Sequence, residues 1–384
     1  MKHVCCITVI GFLLLSCNRT KQNVSAEFFE IPVDIDQNSS LPLSEIAEEI
    51  TAIELEMTDE SLINTDFIGR IIISEDNIIV LSGVLGFSKI LVFNTYGKYL
   101  RSIGSKGQGP GEYNTIRSVA LDDKNKRLFI ATYNPNKILC YNLDGKFLNE
   151  SKIQSAFNSY IDINYINDEL LFIAFQRALE HEIENRNANS MMKHLLYRLK
   201  DDFQIIDSCI ILIQYLETTF GGGNAFYYND FIYKGNASVY LYYCENYASQ
   251  FTPLEIVLRD TLYRYEDKQL VPELKLKFKN DGIDGGGNKC IHLHNIFRSS
   301  RYVFSIYSKG VIFSNKYFFC YDTKTGKSYN MLDGYTDDIH GIEKRVSIRP
   351  LVTNSELFYY LHTNIKPDDL VEPNPTLYII KLKK

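Results

Sequence analysis

One unit recurs six times along this chain, and that recurrence constrains the fold more than any other feature of the sequence. The unit is a short aromatic or aliphatic strand, a polar turn, and a second strand. It first occurs as Ile90-Leu91-Val92-Phe93-Asn94, the turn Thr95-Tyr96-Gly97-Lys98, and a strand over 99–103. It returns at 138–142 with the turn 143–146, at 195–199 with 200–202, at 261–265 with 266–268, and at 317–322 with 323–327. The sixth copy is split. Residues 377–382 close the sequence with no strand after them, and 50–56 open the domain with no strand before them.

Two further strands precede each unit, such as 71–73 with 78–81, and 119–121 with 128–131. The first strands start at 90, 138, 195, 261, 317 and 377, so each interval holds the ~40–50 residues of a four-stranded blade plus a loop. The pattern predicts an all-β fold: a six-bladed β-propeller over residues 46–384, with four antiparallel strands per blade. The N- and C-terminal strands share one blade and close the ring, removing the open edges that invite aggregation. The 27 Tyr and 23 Phe fit this, because aromatic side chains pack well on pleated strands. The net charge of −6, without long runs, excludes a nucleic-acid partner, which needs a basic face to displace condensed counterions.

The first residues read as an address. The apolar run from Val4 to Leu15 fits a signal-peptide core and is shorter than the ~20 residues of a membrane span. It ends Leu14-Leu15-Ser16-Cys17, which resembles the lipobox of bacterial lipoproteins. That resemblance implies a signal peptide over 1–17, cleavage before Cys17, diacylglycerol on its thiol, and a membrane partner reached through the lipid. Residues 18–45 are polar and aperiodic and read as a flexible tether. Asn18 follows the cysteine where many inner-membrane lipoproteins carry Asp, and no acidic patch follows it. These features point to the outer membrane, facing the periplasm, with the cell surface left as the alternative.

Between the first unit and the next blade runs Ile103-Gly104-Ser105-Lys106-Gly107-Gln108-Gly109-Pro110-Gly111-Glu112-Tyr113. Glycines can adopt positive φ and Pro110 fixes a turn, so the segment reads as the step from the outer strand of one blade to the inner strand of the next. It lacks the Gly-Lys-Ser/Thr ending of a phosphate loop. The segment resembles the signature of six-bladed propeller lipoproteins of Bacteroidetes, akin to the NHL-like propellers. That family also carries a phrase like 55–63 after its first strand. The resemblance spans roughly 46–384 and implies fold and export, but little about activity.

The remaining cysteines, Cys140, Cys209, Cys244, Cys290 and Cys320, are odd in number and widely spaced, which does not suit a disulfide framework. Cys140 and Cys320 occupy matching places in two units and read as buried thiols. Cys290, His292 and His294 alternate, so on a regular strand they share a face. They are weak metal candidates, because neighbours two apart on a strand sit ~6.5 Å from each other. Residues 176–194, with Glu180, His181, Glu182, Glu184 and Arg186, read as a polar insertion, and 363–376, with Asp368, Asp369 and Glu372, as an acidic loop. No calcium-ligand spacing is recognisable in that loop, so calcium is a possibility rather than a prediction.

The function expected is a binding or scaffold module for a glycan, a peptide or an envelope protein. It would use face loops rich in aromatics: Tyr227, Tyr228, Tyr242, Tyr243 and Tyr247. Catalysis is not expected. The alternative is a metal-dependent hydrolase or lyase using carboxylates around the central channel, and fold analogy is its only warrant.

Overall fold

The computed structural model describes residues 29–65, 68–83, 88–152, 159–177, 188, 190–216, 230–236, 238–243, 259–282, 285, 290–310, 315–365 and 372–384. Six antiparallel sheets make a six-bladed β-propeller. Blade 1 comprises Ile68–Ile73, Asn77–Ser82, Lys89–Asn94 and Tyr99–Ser102. Blade 2 comprises Thr115–Asp122, Arg127–Asn134, Lys137–Asn142 and Phe147–Lys152. Blade 3 comprises Ser159–Ile166, Glu169–Arg177, Ser190–Leu199 and Ile205–Leu216. Blade 4 comprises Ile232–Lys234, Val239–Leu241, Thr261–Glu266 and Gln269–Phe278, and blade 5 Ile291–Arg298, Tyr302–Lys309, Lys316–Asp322 and Ser328–Leu332. Blade 6 joins the two ends of the domain. Arg349–Leu351, Asn354–His362 and Thr376–Leu382 are completed by Ala47–Glu54, in register from Ala47 against Leu382 to Glu54 against Thr376.

The middle strands of a blade are packed on both faces, so they read as continuous apolar runs rather than alternating ones. Ile78 to Leu81 and Ile90 to Phe93 are at most 2% exposed. Neighbouring blades share these surfaces: Ile79 and Val92 of blade 1 pack in one cluster with Leu121, Ile130 and Leu139 of blade 2. Cys140 and Cys320 are buried in such layers, and burial pushes the Cys140 thiol up to about 11. Hairpin chemistry is local. Asn167-Asp168 and Asp267-Lys268 have positive φ at both positions, as two-residue type I′ turns require.

Two expectations are corrected. Residues 29–45 are not a flexible tether. Phe29–Val33 adds a fifth strand, parallel to 274–278, on the outer edge of blade 4, where Ile31 is fully buried. The chain then crosses blade 5, where Ser39 N–H donates to Asn330 O (2.9 Å) and Asn330 N–H donates to Ser39 Oγ (2.6 Å). It reaches blade 6 through the short helix Leu43–Ile46, whose Leu43 is buried. The segment buries only a few apolar side chains spaced along an otherwise polar stretch. That is too few to make a period, yet enough to bind an edge already formed. The second correction concerns 176–194. Ser190–Leu199 is a blade strand, and Met191, Met192 and His194 are buried in it. Residues 178–187 lie outside the described residues, as do 1–28 with Cys17.

Candidate functional site

Because successive strands alternate in direction, each sheet has two different ends. At one end, first strands turn into second and third into fourth. Those turns are short: 74–76, 123–126, 167–168, 235–238, 299–301 and 352–353, and 95–98, 143–146, 200–204, 267–268 and 323–327. The other end carries the long connections 178–189, 242–260 and 363–375 within blades and 55–67, 103–114, 217–231, 279–290 and 333–348 between blades, beside the shorter 83–88, 135–136, 153–158 and 310–315. Inner strands run in the same direction around the axis, so these long connections leave from one face of the disc. Long connections on a rigid scaffold are where propellers and other folds place recognition.

The axis itself is filled. Arg70, third residue of the first inner strand, is 3% exposed and reaches across four blades. Its Nη2 meets Asp162 Oδ1 at 2.7 Å, its Nε donates to Asp230 Oδ1 at 2.8 Å, and its Nη1 donates to Val119 O (2.9 Å) and Ile163 O (3.0 Å). Ser118 Oγ and Asn164 Nδ2 donate to the two oxygens of Asp162 at 2.7 and 2.8 Å. Complete burial pushes the Asp162 carboxyl above its usual range while Arg70 pulls the other way. Burial works to lower the Arg70 pKa, but Asp162 and Asp230 together raise it. At the short-turn end, Glu356 joins blades 4, 5 and 6: it accepts from Asn236 Nδ2 (3.2 Å), Ser300 N–H (2.7 Å) and Ser300 Oγ (2.9 Å). The oxygens that a calcium ion would take on the axis already hold a guanidinium, so this constellation does not fit a divalent cation.

The glycine-rich segment forms a knot at the rim. Ser105–Lys106 pairs in parallel with Glu112–Tyr113, and Glu112 Oε2 accepts from Gly109 N–H at 2.9 Å. Tyr113 donates to Ile103 O at 2.5 Å and Tyr141 donates to Gly111 O. Lys137, 2% exposed, donates to Gly109 O at 2.8 Å and pairs with Glu150, which also takes Gly111 N–H. Gly104 has φ +75°, and a Cβ there would stand 2.4 Å from the Tyr113 ring, so glycine is required. Gly107 lies over Glu112, and Pro110 is in the turn between them. The partners Lys137, Tyr141 and Glu150 were not anticipated, since they come from other strands of blade 2.

The row Cys290, His292, His294 does not converge. A bulge between Leu293 and Asn295 breaks the alternation. Cys290 Sγ faces Gly282 O (3.1 Å), His292 Nε2 faces Gly310 O (2.9 Å), and buried His294 Nε2 faces Ser308 Oγ (2.8 Å). Among the described residues, no three His, Cys, Asp or Glu side chains gather to hold a metal.

Of the five tyrosines expected on an exposed face, Tyr242 and Tyr243 are 3% and 5% exposed, which corrects that reading. Tyr227, Tyr228 and Tyr247 lie outside the described residues. Tyr243 is committed to His194: its hydroxyl lies 2.7 Å from Nδ1, while Nε2 lies 2.9 Å from Gln214 Oε1. A carbonyl oxygen only accepts, so Nε2 carries the proton and Tyr243 donates to Nδ1. Burial lowers the His194 pKa to about 4. The native state therefore binds fewer protons than the unfolded chain between pH 6.5 and about 4. Stability contributed by the neutral ring is full above pH 6.5 and lost as pH falls through that window, by about 3 kcal/mol at ~1.4 kcal/mol per unit. Denaturant titrations from pH 8 to 4 should show this loss, and His194→Phe should flatten it. An unchanged slope in the variant rules the ring out as its source.

A second oriented imidazole stands at the long-connection end. Asp337, in the hairpin Tyr335–Asp337 with Ile342–Val346, accepts from Tyr360 Oη at 2.5 Å and from His340 N–H at 2.9 Å. Its burial favours the neutral acid, but these donors hold its pKa below the usual range. His340 Nδ1 lies 3.1 Å from Asp337 Oδ2, and its ring packs edge-on to Tyr378, which stacks on Tyr360.

On the rim of blade 1 a cleft of about 550 Å³ is bounded by Asp59 and Glu60 on one side and Gly104 and Tyr113 on the other. Its floor is the outer strand Tyr99–Ser102 with Lys89 and Ile90. The two segments singled out in the sequence, 55–63 and 103–113, thus meet at one place.

These features define a closed-axis six-bladed propeller whose distinguishing surfaces are connections rather than a channel. Residues 27–383 match the family described as "Domain of unknown function (DUF4934)", and the chain belongs to it. It resembles the structure of a Bacteroides fragilis protein titled "Putative exported protein", with 20% identity, a TM-score of 0.60, and coverage of 93% of this chain and 99% of that one. This is a likeness of fold. More distant likenesses are a DUF4221 member from Bacteroides vulgatus (12% identity, TM-score 0.42, 88% and 97% covered) and the β-propeller domain of Myceliophteria thermophila Cps50 (9%, 0.42, 87% and 100%). A search of curated proteins returns no match.

Proposed function

We propose that this chain is an envelope lipoprotein that acts as a binding or scaffold module, presenting the long-connection face of its propeller to a glycan, peptide or protein partner. The contrast between the two ends of the sheets carries this reading: short turns alone at one, and all the long connections at the other. Export is supported by the Bacteroides fragilis likeness and by the signal-like run before Cys17, and the lipid on Cys17 would hold the module at the outer membrane. The hydrolase or lyase alternative is disfavoured by Arg70, which occupies the axial carboxylates.

Ligand-dependent melting tests the module. A glycan or peptide that binds only the folded chain at about 100 times its Kd should add ~2.7 kcal/mol, with no turnover of the ligand. Metal-dependent hydrolysis or elimination of any panel member would sink the reading in favour of an enzyme. The anchor is tested by palmitate labelling of cells, which should be lost in Cys17→Ala.

A further inference from the structure

We propose that the cleft on the rim of blade 1 binds an extended peptide segment of a protein partner by strand addition, with a basic peptide residue against Asp59 and Glu60 and an acidic one against Lys89. The inference rests on the binding-module reading and gives it one site and one ligand class.

The edge is open from Leu100 to Ser102. Among the described residues Tyr99–Ser102 pairs with no strand but Lys89–Asn94, and all four of its residues line the cleft, while Glu56 Oε2 takes the Tyr99 N–H at 2.8 Å. An outer strand has unpaired N–H and C=O groups along its free side, which is the surface that strand addition uses. This fold already takes a strand in that way, since the outer strand of blade 4 carries Phe29–Val33 as a fifth member.

The walls are preformed, which limits the entropy lost on binding. Thr58 N–H donates to Ser61 Oγ (2.8 Å), Ser61 N–H donates to Thr58 Oγ1 (3.1 Å), and Ser61 Oγ donates to Glu56 O (2.7 Å). Asn374 Nδ2 ties Glu56 O and Ser61 O to blade 6, both at 2.9 Å. The opposite wall is the glycine-rich knot.

The chemistry selects the occupant. Lys89, Asp59 and Glu60 make no ion pair among the described residues, so charges of both signs stand available along the edge. Leu100, which lines the cleft, is 41% exposed and offers the apolar contact. A saccharide would need an open aromatic face inside the cleft. Tyr113 is 1% exposed, and Tyr99 packs on Phe93 with its hydroxyl 2.9 Å from Ser102 Oγ. A peptide needs instead the free edge, apolar contacts and paired charges, and the cleft has all three.

The test probes an array of linear peptides and a panel of neutral and acidic oligosaccharides with the full chain and with Leu100→Asp and Lys89→Glu. Both side chains are solvent-accessible, and unchanged melting temperatures confirm that the variants fold. Wild-type protein should select peptides that bind more than tenfold more weakly to Leu100→Asp. Reversing the acidic residue of such a peptide to lysine should restore binding to Lys89→Glu. Selected peptides that bind both variants as well as wild type overturn the cleft and leave the module reading intact. Saccharide binding lost in the variants, without peptide binding, overturns the ligand class. No binding of either class overturns both.

Discussion

Replacing Arg70 by methionine lowers the unfolding free energy at pH 7 by about 3–5 kcal/mol, the usual effect of removing one partner from a buried ion pair. The side chains of Asp162 and Asp230 are 0% and 7% exposed, and among the described residues Arg70 is the cation paired with both. The damage should depend on pH in a defined direction. Burial already pushes the Asp162 carboxyl up, and losing Arg70 removes the strongest opposing pull. A group whose folded pKa lies above its unfolded one stabilises the fold below the unfolded value, and that contribution is lost as pH rises through the folded value. The deficit of Arg70→Met relative to wild type should therefore shrink as pH falls towards 4. Adding Asp162→Asn and Asp230→Asn should recover part of the loss at pH 7, because neutral amides cost far less to bury than unpaired carboxylates. Urea midpoints of the three proteins across pH 4–8 measure this. A single-variant loss below ~1 kcal/mol, or a deficit that grows on acidification, would show that the cluster does not hold the blades together.

The same cluster marks the boundary of what could be read without coordinates. The third and fourth strands of each blade were legible because their signal is local: an apolar run, a turn with Gly, Asp or Asn, and another run within about a dozen residues. The split blade was legible for the same reason, each half being a strand that lacked its partner. The axial residues were half legible. Arg70 stands next to Ile71-Ile72-Ile73, and Asp162 stands between Ile161 and Ile163. A lone charge inside an apolar inner strand must find a partner or shift its protonation. The partners themselves lie 92 and 160 residues from Arg70 in the chain, and no local pattern encodes that pairing. Tyr242 and Tyr243 failed in the opposite direction. A tyrosine beside a long connection reads as exposed, yet here His194 and the backbone of Arg259 take their hydroxyls and turn both rings inward. The three side chains Cys290, His292 and His294 do not share a face because of a bulge beside His294 that the spacing of the residues does not reveal.

The second large effect concerns the segment before the first blade strand. A chain lacking residues 1–35 should unfold at lower urea than the full chain, with a loss of about 3–6 kcal/mol. Ile31 and Val33, 0% and 4% exposed, each gain roughly 1.5–3 kcal/mol from burial. The strand does more than bury two side chains. It satisfies the outer edge of Gln269–Phe278 over five residue pairs, so its removal uncovers a long edge on blade 4. The truncated protein should therefore self-associate at concentrations where the full chain does not, which sedimentation velocity can record. A flexible tether predicts neither result: its removal leaves both the midpoint and the sedimentation coefficient of the monomer unchanged. The distinction bears on presentation as well as stability. If lipid is attached at Cys17, the chain between it and the docked strand is residues 18–28, whose contour is at most ~40 Å. Blade 4 is then the part of the rim held nearest the membrane, because the docked strand fixes where the tether leaves the disc. A tether that ran freely to residue 45 would reach ~100 Å and let the propeller turn about its anchor.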